Sequence, residues 1–564
     1  MKTLLSLQEF ISQQKNIILF VGCGIFAIQA LVFISSFGIN FTQYGDGWLI
    51  PKSADMITNE YIWNNLLNEI DSHIAIFPKL LILISYFIDN LNFVHLMYIG
   101  WAILAISLVY HFKIIQSIDK RLTWIILPVA ALVFSPLQHF ALVSAYVGLQ
   151  WELTMLGIVA SVYYLNKKPY NKKSFLFAIF SSLVASYSLI SGIISWAIGI
   201  ISISKKIKKM IVWSSIAAAV IFSYTFFAKS IESTSNFSNL MSIDGLTYFL
   251  TFVSIPFRLK FPELNLLAGI GTTILLICLI SYFLKNKKQI SNVQPYIQFT
   301  VAGFLISIMH LIGRFGDVET KAWLFGHSTY YAVIANLPQI ALMALLSILV
   351  LKFWPSRKKL ATVLLLIIIL QVIFIIPGYY LGWQWGDEYF QKNSEKYSCF
   401  SQSPKNVFLC NEVFDSKSQI IHNANYLLEH NLSIFTNNEF NSDYIFTASE
   451  INKQWNDNVN SQKGVGYIET VNDMPVSNNE TVIISTDHVN VRGIINQEAY
   501  EFESIILLKN GKPFAKFDAL SNEPVIMWEF TFLTGYVDGC EEITINGITG
   551  DTNVTIDKSI IICK

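Results

Sequence analysis

The sequence predicts an α-helical polytopic membrane protein of about eleven spans, followed by a C-terminal extracytoplasmic domain of β-sandwich type. Three observations predict it. Hydrophobic residues make up 53% of the 564 positions and charged residues only 14%, against about 25% charge in ordinary soluble domains. Residues 1–380 hold 27 Lys+Arg and 14 Asp+Glu while residues 381–564 hold 12 and 25, so a formal charge of zero conceals parts of +13 and −13 suited to two solvents. From about residue 481 the apolar runs give way to short alternating segments punctuated by glycine, the pattern of strands and turns.

Nine uncharged apolar runs carry the membrane assignment: Asn16 to Phe37, Asn92 to His111, Thr123 to Leu142, Gly148 to Leu165, Met210 to Ala228, Leu264 to Leu284, Pro295 to Gly313, Tyr331 to Leu351 and Leu360 to Tyr380. Most approach the roughly 20 residues needed to cross a hydrocarbon core, and none shows the polar face of a helix packed on a soluble core. Polar Gln8 to Asn16 precedes the first run and no small-residue cleavage site follows it, so it reads as an anchored helix rather than a cleaved signal. Ser174 to Ser204 lies between two lysine clusters, too short for two full helices and too long for one upright helix, and is expected as a short hairpin bent near Ser191-Gly192.

Lysine placement predicts the topology. With the N-terminus in the cytoplasm, 20 of the 27 basic residues of this part fall inside and 12 of its 14 acids fall outside, as the positive-inside rule requires. The C-terminal part is then extracytoplasmic. Cysteine usage agrees: Cys23 and Cys278 lie in apolar runs, whereas Cys399, Cys410, Cys540 and Cys563 form two locally close pairs in the soluble part. An oxidising compartment would bridge Cys399 to Cys410 and Cys540 to Cys563; four cysteines allow three pairings, and a zinc site is the rival use.

The expected organisation is a membrane domain over residues 1–380 with a first external loop at 38–91, a mixed connector over 381–480 and a β-sandwich over 481–564. The connector carries Trp383, Trp385 and a helical pattern at Gln419 to His430; in the sandwich, Asn510-Gly511 is a hairpin signal.

The longest external loop carries Asp46, Asp55, Glu60, Glu69, Asp71, His73 and Lys79. Its apolar stretch Ile74 to Ile88 is about fifteen residues long and interrupted by Pro78-Lys79, which predicts a helix lying in the outer interface. The basic clusters are short and adjoin the membrane helices, so orientation explains them and no nucleic-acid module is visible. D-x-D, P-loop, G-x-G-x-x-G and H-E-x-x-H motifs are missing from the sequence, which disfavours nucleotide-activated donors.

Several short motifs run through the membrane part: Asp46-Gly47-Trp48, Asp71-Ser72-His73-Ile74-Ala75-Ile76-Phe77-Pro78-Lys79-Leu80, Ser135-Pro136-Leu137-Gln138 with Gly148-Leu149-Gln150, and Gly313-Arg314 with Ser328-Thr329-Tyr330. In this series the chain resembles GT-C-type bacterial polytopic glycosyltransferases, whose first external loop carries a catalytic acid shortly after the first span. It departs from their pattern at Ser72, Ile74 and Thr329, where that pattern has Glu, Arg and Arg, and the charge would have moved to Glu69 or Asp71 and to His327.

The resemblance implies transfer of a sugar from a polyprenyl-phosphate-linked donor to a glycan acceptor, at the outer face of a bacterial inner (plasma) membrane. Such a reaction needs a carboxylate as general base and cations for the departing phosphate. Asp46 is the first choice of base, with a simple turn after the first helix as its plainer reading. Asp71 and His73 would orient the acceptor or assist the base, or form a solvated helix face. Arg314, Arg258 and Lys79 are the donor-phosphate candidates; snorkelling, a surface loop that also holds Lys260, and anchoring of the interfacial helix are their alternatives. Glu152, Glu69 and His327 complete the candidate polar site. No cofactor is called for by a motif, and the scattered carboxylates leave a divalent metal open. A polymerase or ligase using diphosphate-linked donors, and a transporter or flippase for lipid-linked glycans, are the competing functions.

Overall fold

The computed structural model describes residues 2–40, 66, 74–168, 171–204, 206–227, 242–258, 261–286, 289–314, 329–402, 427, 432–433, 459–461, 466–472, 474–476, 481–484, 488–496, 504–518, 525–533, 537, 539–549, 552–555 and 559–563. The chain divides into two compact units: residues 1–39, 55–85 and 93–390 in the first, and 40–54, 86–92 and 391–564 in the second.

The first unit is helical. Its helices are α1 (Lys2–Phe37), α2 (Ile76–Asp89, whose last turn belongs to the second unit), α3 (Phe93–Ile118), α4 (Ile126–Val133), α5 (His139–Val143), α6 (Ala145–Asn166) and α7 (Lys172–Ser186). There follow α8 (Ile194–Ile203), α9 (Ile207–Phe227), α10 (Ile243–Ser254), α11 (Pro262–Lys285), α12 (Ile290–Arg314), α13 (Ala332–Phe353) and α14 (Lys358–Gln402). Among the described residues, nine helical segments are long and apolar enough to cross a membrane, and they coincide with the nine apolar runs of the sequence. Ile190–Ile203 and Ile243–Phe257 are shorter apolar helices.

Burial sorts the helices. The central window of α13 is 94% buried and that of α6 is 89%, whereas those of α1, α9 and α14 are 17 to 22% buried and expose Phe20, Ile25, Phe222, Phe226, Leu366 and Ile376. Two inner helices are thus surrounded by protein while outer helices present apolar faces that suit lipid. Inside, polar side chains link helices. Gln339 Nε2 donates to the Val253 carbonyl at 2.7 Å, and Gln371 Nε2 donates to Gln339 Oε1 at 3.0 Å. Elsewhere Asn166, Gln298, Ser202 and Gln294 form one chain of hydrogen bonds across α6, α8 and α12. With no water to compete, such contacts fix which helix faces meet.

The stretch expected as a hairpin is α7 and α8, separated by a turn that includes Ser191-Gly192. The chain does turn back there: Trp196 Nε1 donates to Ser186 Oγ at 2.9 Å. A Cβ on Gly192 would overlap the Ala185 carbonyl, so only glycine permits this approach. The stretch Ile74 to Ile88 contains α2, which packs Phe77 edge-on against Phe180 of α7 and buries Ile74, Ala75, Pro78 and Ile82.

In two places the helices depart from the sequence pattern. The run Thr123 to Leu142 is not one helix but α4 and α5, with a break at Phe134-Ser135. The last apolar run does not stop at Tyr380. Helix α14 continues through residue 381 to Gln402, and its 45 residues measure about 68 Å, more than twice a hydrocarbon core of about 30 Å. The division between units falls at Phe390, inside this helix.

The second unit holds the C-terminal sheets. The strands are β1 (Val459–Ser461), β2 (Gly466–Val471), β3 (Met474–Pro475), β4 (Thr481–Ile483), β5 (His488–Asn496) and β6 (Ser504–Lys509). They continue with β7 (Lys512–Asp518), β8 (Val525–Leu533), β9 (Cys540–Thr549), β10 (Thr552–Thr555) and β11 (Ile560–Cys563). One sheet has seven strands centred on β9, with β10 and β11 along one edge of it and β6 along the other; the second has the order β3-β2-β5-β8. Ile468, Val489 and Val491 from the smaller sheet share one core with Val482, Ile505, Ile543 and Ile562 from the larger. Asn510 and Gly511 turn β6 into β7 with φ of 51° and 74°, the left-handed conformation that an Asn-Gly hairpin requires. Cys540 and Cys563 stand opposite each other on β9 and β11 and are joined by a disulfide.

Candidate functional site

The break between α4 and α5 originates in Ser135-Pro136. A residue before proline is driven out of the helical region, and Ser135 accordingly adopts ψ of 128° while its Oγ accepts from the Leu137 N–H at 3.3 Å. Interrupting a helix inside an apolar run frees backbone carbonyls that apolar surroundings cannot satisfy. Three side chains supply donors to carbonyls at the break, where the Leu132 carbonyl also accepts from the Ser135 N–H at 3.3 Å. Tyr379 on α14 donates its hydroxyl to the Ala131 carbonyl at 2.6 Å, Asn336 on α13 donates Nδ2 to Leu132 at 2.9 Å, and Gln138 donates Nε2 to Val133 at 2.6 Å. The break is therefore a built feature, held from three directions.

Helix α14 reaches it through Gly378 and Gly382, one turn apart. A Cβ on Gly382 would overlap the backbone of Pro136 and Leu137, so the close approach depends on glycine. Beyond the break the chain doubles back from α5 into α6, where a Cβ on Gly148 would overlap the Ala141 carbonyl.

Aromatic and cationic side chains gather around this break. His139, the first residue of α5, lies 5.9 Å from Trp385 and 6.0 Å from Tyr389, both on α14. The Arg258 guanidinium, just after the turn that ends α10, stacks over Trp385 at 4.8 Å from the ring centroid and acts electrostatically on His139. Arg258 is 9% exposed, and burial pushes its guanidinium down to about 10, which leaves it a cation at neutral pH. The ring network continues from Tyr389 to Phe140 at 5.3 Å, from Phe140 to Tyr330 at 5.4 Å and from Tyr330 to Trp151 at 5.3 Å. It ends where His310 stacks between Trp151 and Phe252, with centroids at 5.4 and 5.9 Å.

Polar atoms in this region are only partly occupied. His139 is buried, and the Leu137 backbone is within reach of its ring, yet Nδ1 completes no hydrogen bond of good geometry among the described residues. Gln138 Oε1 likewise has no partner there. Next to Trp151, Glu152 is 1% exposed; its carboxyl sits against Gly100 of α3 with Oε2 unpartnered among the described residues. An ionised carboxylate in such surroundings is costly and marks a place where polar chemistry has a reason to persist.

Of the residues singled out in the sequence, Asp46, Glu69, Asp71, His73 and His327 lie outside the described residues, as does Cys410. Arg314 closes α12 and Cys399 lies on α14. Lys79 is 1% exposed and its Nζ donates to the Leu66 carbonyl at 3.3 Å, so the ammonium is held inside the fold. Arg258 is the sequence-derived candidate that joins the aromatic network. Sequence reasoning did not single out His139, Phe140, Trp151, His310, Tyr330, Trp385 or Tyr389 as site residues. The signals available were Ser135-Pro136 inside an apolar run, and His310 one helical turn before Arg314. Among the described residues no group of three or more His, Cys, Asp or Glu could hold a metal ion.

The arrangement can engage an anion and a flat apolar ring side by side. A guanidinium offers planar paired donors suited to phosphate, and fixed aromatic faces offer stacking surfaces. No protein family, curated protein or solved structure matches the chain.

Proposed function

We propose that the chain is a GT-C-like membrane glycosyltransferase that moves a sugar from a polyprenyl-phosphate donor to a cell-envelope glycan at the outer face of the plasma membrane. The observation that carries the reading is Arg258, a buried cation stacked on Trp385 beside His139, at the rim of a helix break in a chain that has, among the described residues, nine apolar helical segments of membrane length. In this reading Arg258 holds the donor phosphate as it departs, and Asp46 takes the proton from the attacking acceptor hydroxyl. The Cys540–Cys563 disulfide supports an extracytoplasmic C-terminal unit, because such bridges persist in oxidising compartments.

The test is transfer from a short-chain polyprenyl-phosphate sugar by the purified protein in nanodiscs. Transfer or donor hydrolysis that is lost in Asp46→Asn and in Arg258→Gln, with both variants folded, is the expected result. Full activity of either variant removes that residue from the mechanism, and no bond cleavage by the wild type overturns the reading.

A specific pair of observations favours transport of a lipid-linked glycan as the second reading: the buried Glu152 and the discontinuous α4–α5 segment are features that transporters use at their binding sites. Movement of a labelled lipid-linked sugar across proteoliposomes without cleavage would select it.

A further inference from the structure

We infer that Phe140, Tyr330, Trp385 and Tyr389 form a carbohydrate-binding shelf that stacks the pyranose rings of the acceptor glycan; naming the glycan as acceptor rests on the transferase reading. The four rings are half-buried, each with surface left open; Phe140 touches Tyr330 and Tyr389, and Trp385 joins them through His139 and lies beside Arg258. Behind them lie buried groups that hold them in place. Tyr330 packs on Trp151 and Tyr331, while Trp385 and Tyr389 pack on His139. Rings fixed in this way lose little side-chain entropy when a ligand packs on the surface they leave open.

The chemistry of the rim selects the occupant. A channel for an isoprenoid chain needs only aliphatic surface. Here the rings carry phenol and indole polar edges and Arg258 adds a cation. Flat apolar faces edged by hydrogen-bonding groups match a pyranose, whose C–H bonds occupy its faces and whose hydroxyls occupy its rim. The lipid portion of the donor has no use for that rim.

The experiment is saturation-transfer NMR on the full chain in nanodiscs, with a panel of neutral hexose and N-acetylhexosamine oligosaccharides and no donor present. The wild type should transfer saturation to ring protons of at least one oligosaccharide. Tyr330→Leu and Trp385→Leu, which keep apolar bulk and remove the ring, should each weaken that binding about tenfold, the scale of one lost stacking contact. Trp385→Tyr should retain most of it, and Phe222→Leu on an exposed face of α9 serves as the folding-neutral control. Binding unchanged in both leucine variants, no transfer to any sugar of the panel, or saturation that reaches only the isoprenyl protons of an added polyprenyl phosphate would each overturn the shelf. Because no turnover is measured, sugar binding without glycosyl transfer sinks the transferase reading alone. Transfer activity with unaltered binding in the leucine variants sinks the shelf alone.

Discussion

The seat of Glu152 against Gly100 can be tested by a double-mutant cycle. In Gly100→Ala the new methyl would overlap Glu152 Oε2 and lie 2.9 Å from Cδ and 3.1 Å from Oε1, so the carboxyl must leave its position. Overpacking of this kind costs about 1–3 kcal/mol, and replacing glycine by alanine within a helix returns about 1 kcal/mol. Gly100→Ala is therefore expected to destabilise by about 0–2 kcal/mol in the wild type. In a Glu152→Ala background the obstruction is gone and the same substitution should stabilise by about 1 kcal/mol. The coupling between the two sites is then about 1–3 kcal/mol, well above the roughly 0.3–0.5 kcal/mol within which independent sites add. Reversible unfolding in mixed micelles by increasing dodecyl sulfate measures all four corners. An effect of Gly100→Ala that is the same in both backgrounds would refute the packing and, with it, the claim that the carboxyl is enclosed between α3 and α6.

Other outcomes follow from the same structure. Tyr379→Phe strands the Ala131 carbonyl at the helix break and should cost about 1–2 kcal/mol in the same unfolding assay, Asn336→Leu leaves the Leu132 carbonyl its bond from the Ser135 N–H and should cost about 0.5–1.5 kcal/mol, and Gly24→Ala, with open space around it, should be neutral or slightly stabilising. Arg258→Lys keeps the charge but loses the guanidinium over Trp385; donor affinity measured by titration should fall about tenfold while the fold survives. Asp119, between two membrane-length helical segments, is held below the usual carboxylate range by hydrogen bonds from Arg121. Its contribution to stability is full above the free carboxylate's value and is lost as pH falls through the lowered value, so Asp119→Asn should flatten the stability profile only below about pH 4. Cys540→Ser opens a bridge 23 residues apart in sequence and should destabilise the sheet unit by about 2–4 kcal/mol, read as a lowered thermal midpoint together with one newly titratable thiol.

The long apolar helices were legible because nothing but length and the lack of charge is needed to recognise them, and the hairpin at Asn510-Gly511 because one turn type admits those two residues. The break at Ser135 was less so. In an apolar run, Pro136 alone does not distinguish a kink from an end; the outcome depends on whether partners reach the freed carbonyls, and those partners lie at Gln138, Asn336 and Tyr379, the last two some 200 residues away or more. The extension of α14 was hidden for a related reason. Trp383, Gln384, Asp387 and Glu388 look like the start of a loop, yet Gly378, Gly382 and Gly386 recur every fourth residue along one face and meet Leu137, Pro136 and Phe33. Tertiary packing of that face, rather than propensity, carries the helix onward.

The same dependence on distant partners governs the site. Arg258 beside Pro256 reads equally well as a surface loop or a ligand until Trp385 is brought over it, and His139 reads as one more buried ring until its neighbours are known. What makes the cluster more than an aromatic core is its attachment. Arg258, His139 and Tyr330 stand at helix ends and turns, Trp385 and Tyr389 on the continuous α14, and the break's own carbonyls are held by α13 and α14. A guanidinium held on such supports is placed before a ligand arrives, so little ordering has to be done when an anion binds. If Arg258 is preorganised in this way, loosening the break at Asn336 should weaken donor binding even though Asn336 is not among the residues that stack with Arg258. An Asn336→Leu variant that unfolds more easily but binds donor as tightly as the wild type would separate the break from the site.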